Sequence, residues 1–223
     1  MKLPQVIKST LVLLTVLLSV SGCALFDTGN RTEKTAQQLA DDGAAAFLDE
    51  DYNEALKAYT DLKDWYPFSK YAILAELKIA DSHFKLEEYD EAIVAYEQFE
   101  SLHPRNEAIP YIIDQIGLCW FNRIDTVDRD PMPAKNAMAQ FERLLEQFPD
   151  SDQAKTAPER IATCLDNIAG NELYVADFYF KTEEFEAALK RYQYIVETFP
   201  GSPQSEIALG KIPACHDALK DKK

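Results

Sequence analysis

The sequence predicts an all-α fold, a tetratricopeptide-repeat superhelix of four full repeats plus a partial fifth. Two observations carry this. A register of aromatic, Ala, aromatic and Pro recurs four times at fixed offsets, and a small residue stands nine positions ahead of three of the four. The register reads Tyr52-Ala55-Tyr59-Pro67, Tyr89-Ala92-Tyr96-Pro104, Ala134-Ala137-Phe141-Pro149 and Phe185-Ala188-Tyr192-Pro200. Offsets of three and four put the first three positions of each set on one helix face. The alanine admits a neighbouring helix closely, the aromatic fills the gap beside it, and the proline stops the helix. Gly43, Ala80 and Ala176 mark where the preceding helix crosses. Such a pattern is that of stacked helix–turn–helix units.

The units are unevenly spaced. Their first positions fall at 52, 89, 134 and 185, against a nominal ~34-residue period. The first lengthening predicts a first helix about one turn longer than usual in unit two. In the third unit Gly117 takes the small position, and the surplus lies in the charged, proline-broken segment Ile124–Pro133. Inserted loops in solenoids serve either as recognition elements or as solvated connectors. The third lengthening, Ser151 to Tyr179, reads as helix with a break near Gly170-Asn171. Ser202 onward, with Gly210 at the small position, predicts a single capping helix.

Ahead of the repeats stands a lipoprotein-type leader, residues 1–22. Lys2 and Lys8 precede an apolar run from Leu11 to Val20, too short for a spanning helix of ~20 residues. Val20-Ser21-Gly22-Cys23 then supplies an aliphatic, two small residues and a cysteine, the pattern of a lipid-acceptor site. Cys23 is therefore the predicted lipidation site and the first residue of the mature chain. Ala24 behind it is no inner-membrane retention signal, so the expected location is the outer membrane, facing the periplasm. Residues 23–31 form a short linker and 32–220 the solenoid. Eight residues from Ala24 to Arg31 span at most ~28 Å, which keeps the first repeat near the bilayer.

Charge narrows the partners. The chain carries −15, and −17 without Lys2 and Lys8. An acidic surface repels phosphate backbones, which argues against nucleic acid. Anionic headgroups are repelled as well, so the lipid does the anchoring. Past Cys23 there are Cys119, Cys164 and Cys215, each amid apolar or helix-forming residues. They read as small buried hydrophobes, with a Cys164–Cys215 bridge open in an oxidising compartment.

No motif for chemistry appears. His83, His103 and His216 have no ligand-like spacing, since the adjacent Cys215-His216 pair points ~100° apart on a helix. Nucleophile elbows and phosphate loops are absent from the sequence, and acid pairs such as Glu87-Glu88 and Glu183-Glu184 read as solvated turns. The expectation is a binding protein without enzyme activity, cofactor or metal.

The irregularities give a closer match. Tyr66-Pro67-Phe68-Ser69-Lys70-Tyr71, Gly117 with Asp128-Arg129-Asp130-Pro131, Phe148-Pro149-Asp150-Ser151, Tyr174 to Tyr179, Arg191 and Phe199-Pro200-Gly201-Ser202 carry it. Over roughly residues 31 to 212 the chain resembles the BamD (ComL) family, tetratricopeptide lipoproteins of the outer-membrane β-barrel assembly machine. It departs in ending without the second helix of the final repeat and in a shorter loop. The resemblance implies docking on a POTRA domain of the insertase BamA through the C-terminal repeats, Arg191 supplying an ion pair. It also implies contact with other lipoproteins of the machine. Unfolded outer-membrane proteins would be received around Tyr66, Phe68 and Tyr71.

The residues themselves leave alternatives. Arg191 also stands within reach of Glu184, Glu186 and Glu197 on its own helix, and the three aromatics also suit packing between units one and two. Lipoboxes and tetratricopeptides are likewise combined in pilotins and in cell-wall synthesis coordination factors, and a free peptide chaperone is a third reading.

Overall fold

The computed structural model describes residues 34–221. Among them are nine α-helices, one 3-10 turn and no strand. In chain order the helices are α1 (Ala36–Leu48), α2 (Tyr52–Trp65), α3 (Ala72–Lys85), α4 (Tyr89–Leu102), α5 (Ile109–Phe121), α6 (Met132–Gln147), α7 (Ala157–Lys181), α8 (Phe185–Thr198) and α9 (Pro203–Asp221). The 3-10 turn is Gln153–Lys155. Each helix packs on its neighbours in sequence, and α9 also touches α7. The result is a tetratricopeptide-type stack of four helix pairs closed by α9.

The predicted register explains the packing. Ala55, Ala92, Ala137 and Ala188 are wholly buried, and so are Tyr96, Phe141 and Tyr192, with Tyr59 nearly so. A Cβ on Gly43 would stand 2.9 Å from the Tyr59 ring, and one on Gly117 only 2.6 Å from Phe141. The small positions are thus where the second helix of a pair presses its aromatic ring against the first.

Every second helix ends two residues before its proline, at Trp65, Leu102, Gln147 and Thr198. The residue preceding each proline leaves the helical region, with φ between −121° and −138° and ψ near 53°. That is the steric effect of a proline ring on its predecessor.

Turns within a repeat are acidic and tightly capped. Glu50, Glu87 and Glu183 sit at φ near +60°, each two residues before the next helix. Around them Asp51, Glu88 and Glu184 donate their backbone N–H to carbonyls five residues back, at 2.9–3.0 Å. This is the Schellman stop, made here without glycine. At the start of α1, Thr35 and Gln38 exchange hydrogen bonds at 2.8 and 3.2 Å, a capping box.

Two expectations change. Helix α3 has 14 residues, the same as α2, so the first lengthening lies in the turn 66–71 and not in the helix. Helix α7 runs unbroken through Gly170-Asn171. Those residues receive the inserted loop instead: the Asn171 side chain donates to the carbonyls of Val127 and Arg129 at 2.8 and 2.9 Å, and Asn167 to that of Asp125 at 2.8 Å. A Cβ on Gly170 would come within 2.7 Å of Val127. Gly170 serves close approach, which costs a helix about 1 kcal/mol relative to alanine but does not break it. The cysteines are the small buried hydrophobes that the sequence predicts: Cys119, Cys164 and Cys215 are all buried free thiols, and the bridge left open between the last two is not formed.

The buried side chains fall into two clusters. The smaller centres on Leu39, Tyr59 and Leu62 in the first repeat and reaches Ala75 and Ile79 on α3. The larger runs continuously from Ala80 to Cys215.

Candidate docking surfaces

Arg191 projects from α8 and is ion-paired with Glu172 on α7, not with a glutamate of its own helix. The carboxylate is well covered, whereas 42% of the Arg191 side chain is exposed. The pair forms one wall of an open cleft of about 420 Å³ between the two helices, with Tyr179, Ala187, Lys190 and Tyr194 around it. One guanidinium nitrogen is engaged by Glu172. The planar fork carries five N–H donors, so donors remain for a second carboxylate. Lys190 adds a second positive charge, and the half-exposed Tyr194 ring offers apolar area. The cleft suits an acidic side chain flanked by an apolar one.

The three aromatics of the α2–α3 turn divide. Tyr66 donates its hydroxyl to the Lys34 carbonyl at 2.9 Å and packs on the smaller cluster. Tyr71 packs on the same cluster, with the Lys70 ammonium 4.9 Å from its ring centre. Phe68, between them, is 100% exposed. The turn is braced by Ser69, whose N–H reaches the Tyr66 carbonyl at 2.9 Å and whose carbonyl accepts from Ala72 at 3.1 Å. Two tyrosines thus support the turn that presents Phe68. Cys23 lies outside the described residues.

A polar centre that the repeat register did not reveal sits under the first helices. Asp81 is buried, and its Oδ1 accepts from both Tyr96 and Tyr111 hydroxyls at 2.8 Å. Its Oδ2 accepts from Lys78 at 2.8 Å. Phe47, Phe84, Lys85 and Gln115 complete a cleft of about 180 Å³ around it. The last repeat echoes the bond: Tyr192 donates to Asp177 at 2.6 Å. The signal was in the sequence, since each aspartate directly follows the small residue and precedes its tyrosine by 15 positions.

These carboxylates shape a pH response. Burial, reinforced by the adjacent Asp81, pushes the Tyr96 and Tyr111 phenols far above the usual tyrosine range. Burial and Asp177 do the same to Tyr192. The folded state therefore retains protons that the unfolded chain releases near pH 10. Their stabilising contribution is complete below that pH and declines as pH rises beyond it. Urea midpoints should fall steeply above about pH 10, with a shallower decline in Tyr192→Phe; equal slopes would contradict this account.

Two further pairs tie neighbouring repeats. Arg160 on α7 bonds the buried Asp114 on α5 while lying 5.3 Å from the Phe141 ring centre. Burial raises the Asp114 carboxyl despite the opposing pull of Arg160. Arg143 and Glu100 join α6 to α4. Among the described residues no group of three potential ligands gathers to hold a metal ion. No described helix is long and apolar enough to cross a membrane.

Comparison with known proteins places this architecture. The family model YfiO, described as an outer membrane lipoprotein, matches residues 32–223. An outer membrane protein assembly factor BamD from Neisseria meningitidis serogroup A is 28% identical over 227 residues, covering 95% of this chain and 85% of that protein. The BamD of Vibrio cholerae is 28% identical over 77% of this chain and 76% of its own length. That of Caulobacter vibrioides is 26% identical over 91% and 68%. The match spans every described helix, including the inserted loop and the elongated α7, and the chain belongs to the YfiO outer membrane lipoprotein family.

Proposed function

We propose that this protein is a lipid-anchored scaffold of the outer-membrane β-barrel assembly machinery, held in the outer membrane through Cys23 and facing the periplasm. The observation that carries the reading is the Arg191 cleft, a cationic, apolar-flanked recess on the repeat distal to the lipid. It suits a BamA POTRA domain that presents a carboxylate. Other lipoproteins of the machine are further partners on the solenoid surface. Unfolded outer-membrane proteins are received at the N-terminal repeats, beside the α2–α3 turn that Tyr66 and Tyr71 hold in shape. Support comes from the names its relatives carry and from the lack of any chemical motif in the sequence. Residues 1–22 are the cleaved leader and 32–220 the working solenoid.

Depleting the protein tests the role: levels of outer-membrane barrel proteins should fall, and normal levels would refute it. Purification in mild detergent should bring down BamA. Recovery of a secretin or a peptidoglycan synthase would favour the pilotin or cell-wall reading. Barrel-protein levels unaltered by Cys23→Ala would favour a free chaperone.

Arg191→Ala should weaken BamA binding by about 30-fold or more, the effect of truncating one member of a buried interfacial charge pair, ~2 kcal/mol or above. Its effect on folding should stay within ~1–2 kcal/mol, because Arg191 is half-exposed although the Glu172 it leaves is well covered. Unchanged co-purification would remove Arg191 from the interface.

A further inference from the structure

The two edges of the helical stack differ in character. Turns within repeats carry the acidic runs Asp49-Glu50-Asp51, Glu87-Glu88 and Glu183-Glu184, along with the aspartates of the inserted loop. Turns between repeats lie on the opposite edge, because successive helices alternate in direction. There the first two turns expose apolar side chains: Phe68 at 100%, Trp65 at 55% and Leu102 at 56%. The cations Lys63, Lys70 and Arg105 there are countered by Asp64 and Glu107, so this edge is close to neutral in a chain of −15.

The chain enters the fold on that same edge. Lys34 is hydrogen-bonded to Tyr66 within the Phe68 turn. Ten residues separate Lys34 from Cys23, a reach of at most about 35 Å. A lipid on Cys23 therefore holds the Phe68 turn within reach of the bilayer surface, while the acidic edge is turned away from anionic headgroups. The third between-repeat turn is polar, with exposed Asp150 and Asp152, so along this edge the exposed apolar side chains gather at the first two turns; on the acidic edge Leu48 is exposed too, but among Asp49, Glu50 and Asp51.

We propose that the α2–α3 turn seats Phe68 and Trp65 in the headgroup region of the bilayer, a second membrane contact that sets the tilt of the solenoid. The proposal rests on the lipidation of Cys23. Aromatic rings with adjacent lysines are the side chains that favour this zone, where the ring is dehydrated and the ammonium remains wet. The anchor supplies the affinity, and the turn supplies the orientation, since a tether alone leaves rotation free. Tyr66 and Tyr71 hold the turn in shape, so little ordering is required on contact. This occupant accounts for Phe68 and Trp65 together, for the neutral edge, and for their position beside the tether.

The test uses the full lipidated chain with Trp120→Phe, which leaves Trp65 as the sole tryptophan. The protein is reconstituted into phosphatidylcholine vesicles with plain or brominated acyl chains. Trp65 emission should shift to the blue on reconstitution and lose intensity in the brominated vesicles. Phe68→Asp should diminish both effects while flotation with vesicles and the thermal midpoint stay unchanged. Normal flotation with equal emission in the two vesicles would overturn the contact and leave the anchor standing. Failure to float would overturn the anchor, and the contact with it. A Trp65 response to the C-terminal peptide of an unfolded barrel protein, without one to brominated lipid, would assign the turn to substrate and overturn the proposal.

Discussion

Replacing Asp81 with alanine should cost the fold about 3–5 kcal/mol, among the largest effects of any single polar substitution in this chain. Its Oδ1 is the acceptor for two phenols, and Tyr96 is wholly buried. Removing the carboxylate leaves both hydroxyls without that acceptor and deprives Lys78 of its counter-charge. An orphaned buried donor costs ~1–3 kcal/mol, against a total stability of ~5–15 kcal/mol for a domain of this kind. Chemical denaturation of Asp81→Ala, of Tyr96→Phe with Tyr111→Phe, and of all three together closes a cycle. The triple variant should be markedly more stable than the two effects added. A loss below ~1 kcal/mol in Asp81→Ala, or simple additivity, would show that Asp81 is not the hub.

Phe141→Ala should cost a similar ~3–5 kcal/mol, by a different route. Phe141 has no exposed surface, meets Phe121 edge-on with ring centres 6.0 Å apart, and is capped by the Arg160 guanidinium. Its ring edge occupies the space that a Gly117 side chain would need. The site therefore has a signature beyond the cavity. Gly117→Ala alone overpacks the crossing, for about 1–3 kcal/mol. In Phe141→Leu the same methyl should be tolerated or favourable, because the ring that blocked it is gone. Denaturant midpoints for the four proteins read the coupling. Equal penalties for Gly117→Ala in both backgrounds would mean that the helices, not the ring, set the distance.

The fold was legible because the repeat writes a packing rule directly into residue size. Ala55, Ala92, Ala137 and Ala188 are wholly buried where helices pack, and the ring-against-glycine contacts at Gly43 and Gly117 follow the same rule. The prolines marked the helix ends to within two residues for the same local reason. Gly170 misled, since a glycine in a helix reads as weakness until the partner that needs its bare Cα is known; that partner, Val127, is more than 40 residues away. Arg191 was picked out as a contact residue, but its bond to Glu172 joins two helices, and nearest-in-sequence glutamates gave no hint of it. The Asp81 centre was overlooked for a subtler reason. Aspartate beside a small residue looks like ordinary solvated helix surface, and only the crossing geometry buries it beneath Tyr96 and Tyr111.

The division of the buried side chains has a mechanical consequence. Stacked repeats exchange energy only with their neighbours, so each opens at a cost set by its own cluster and one interface. The first repeat, whose small cluster is shared only with one face of α3, is the compliant member; the later repeats share one continuous interior. Amide hydrogens of α1 and α2 should exchange faster than those of α5 to α8, and uniform protection would argue for a single rigid rod. Stiffness is thus lowest in the N-terminal repeat and shared among the later ones. The molecule is built like a beam on a soft mount, able to yield at its N-terminal end while the Arg191 cleft keeps its shape.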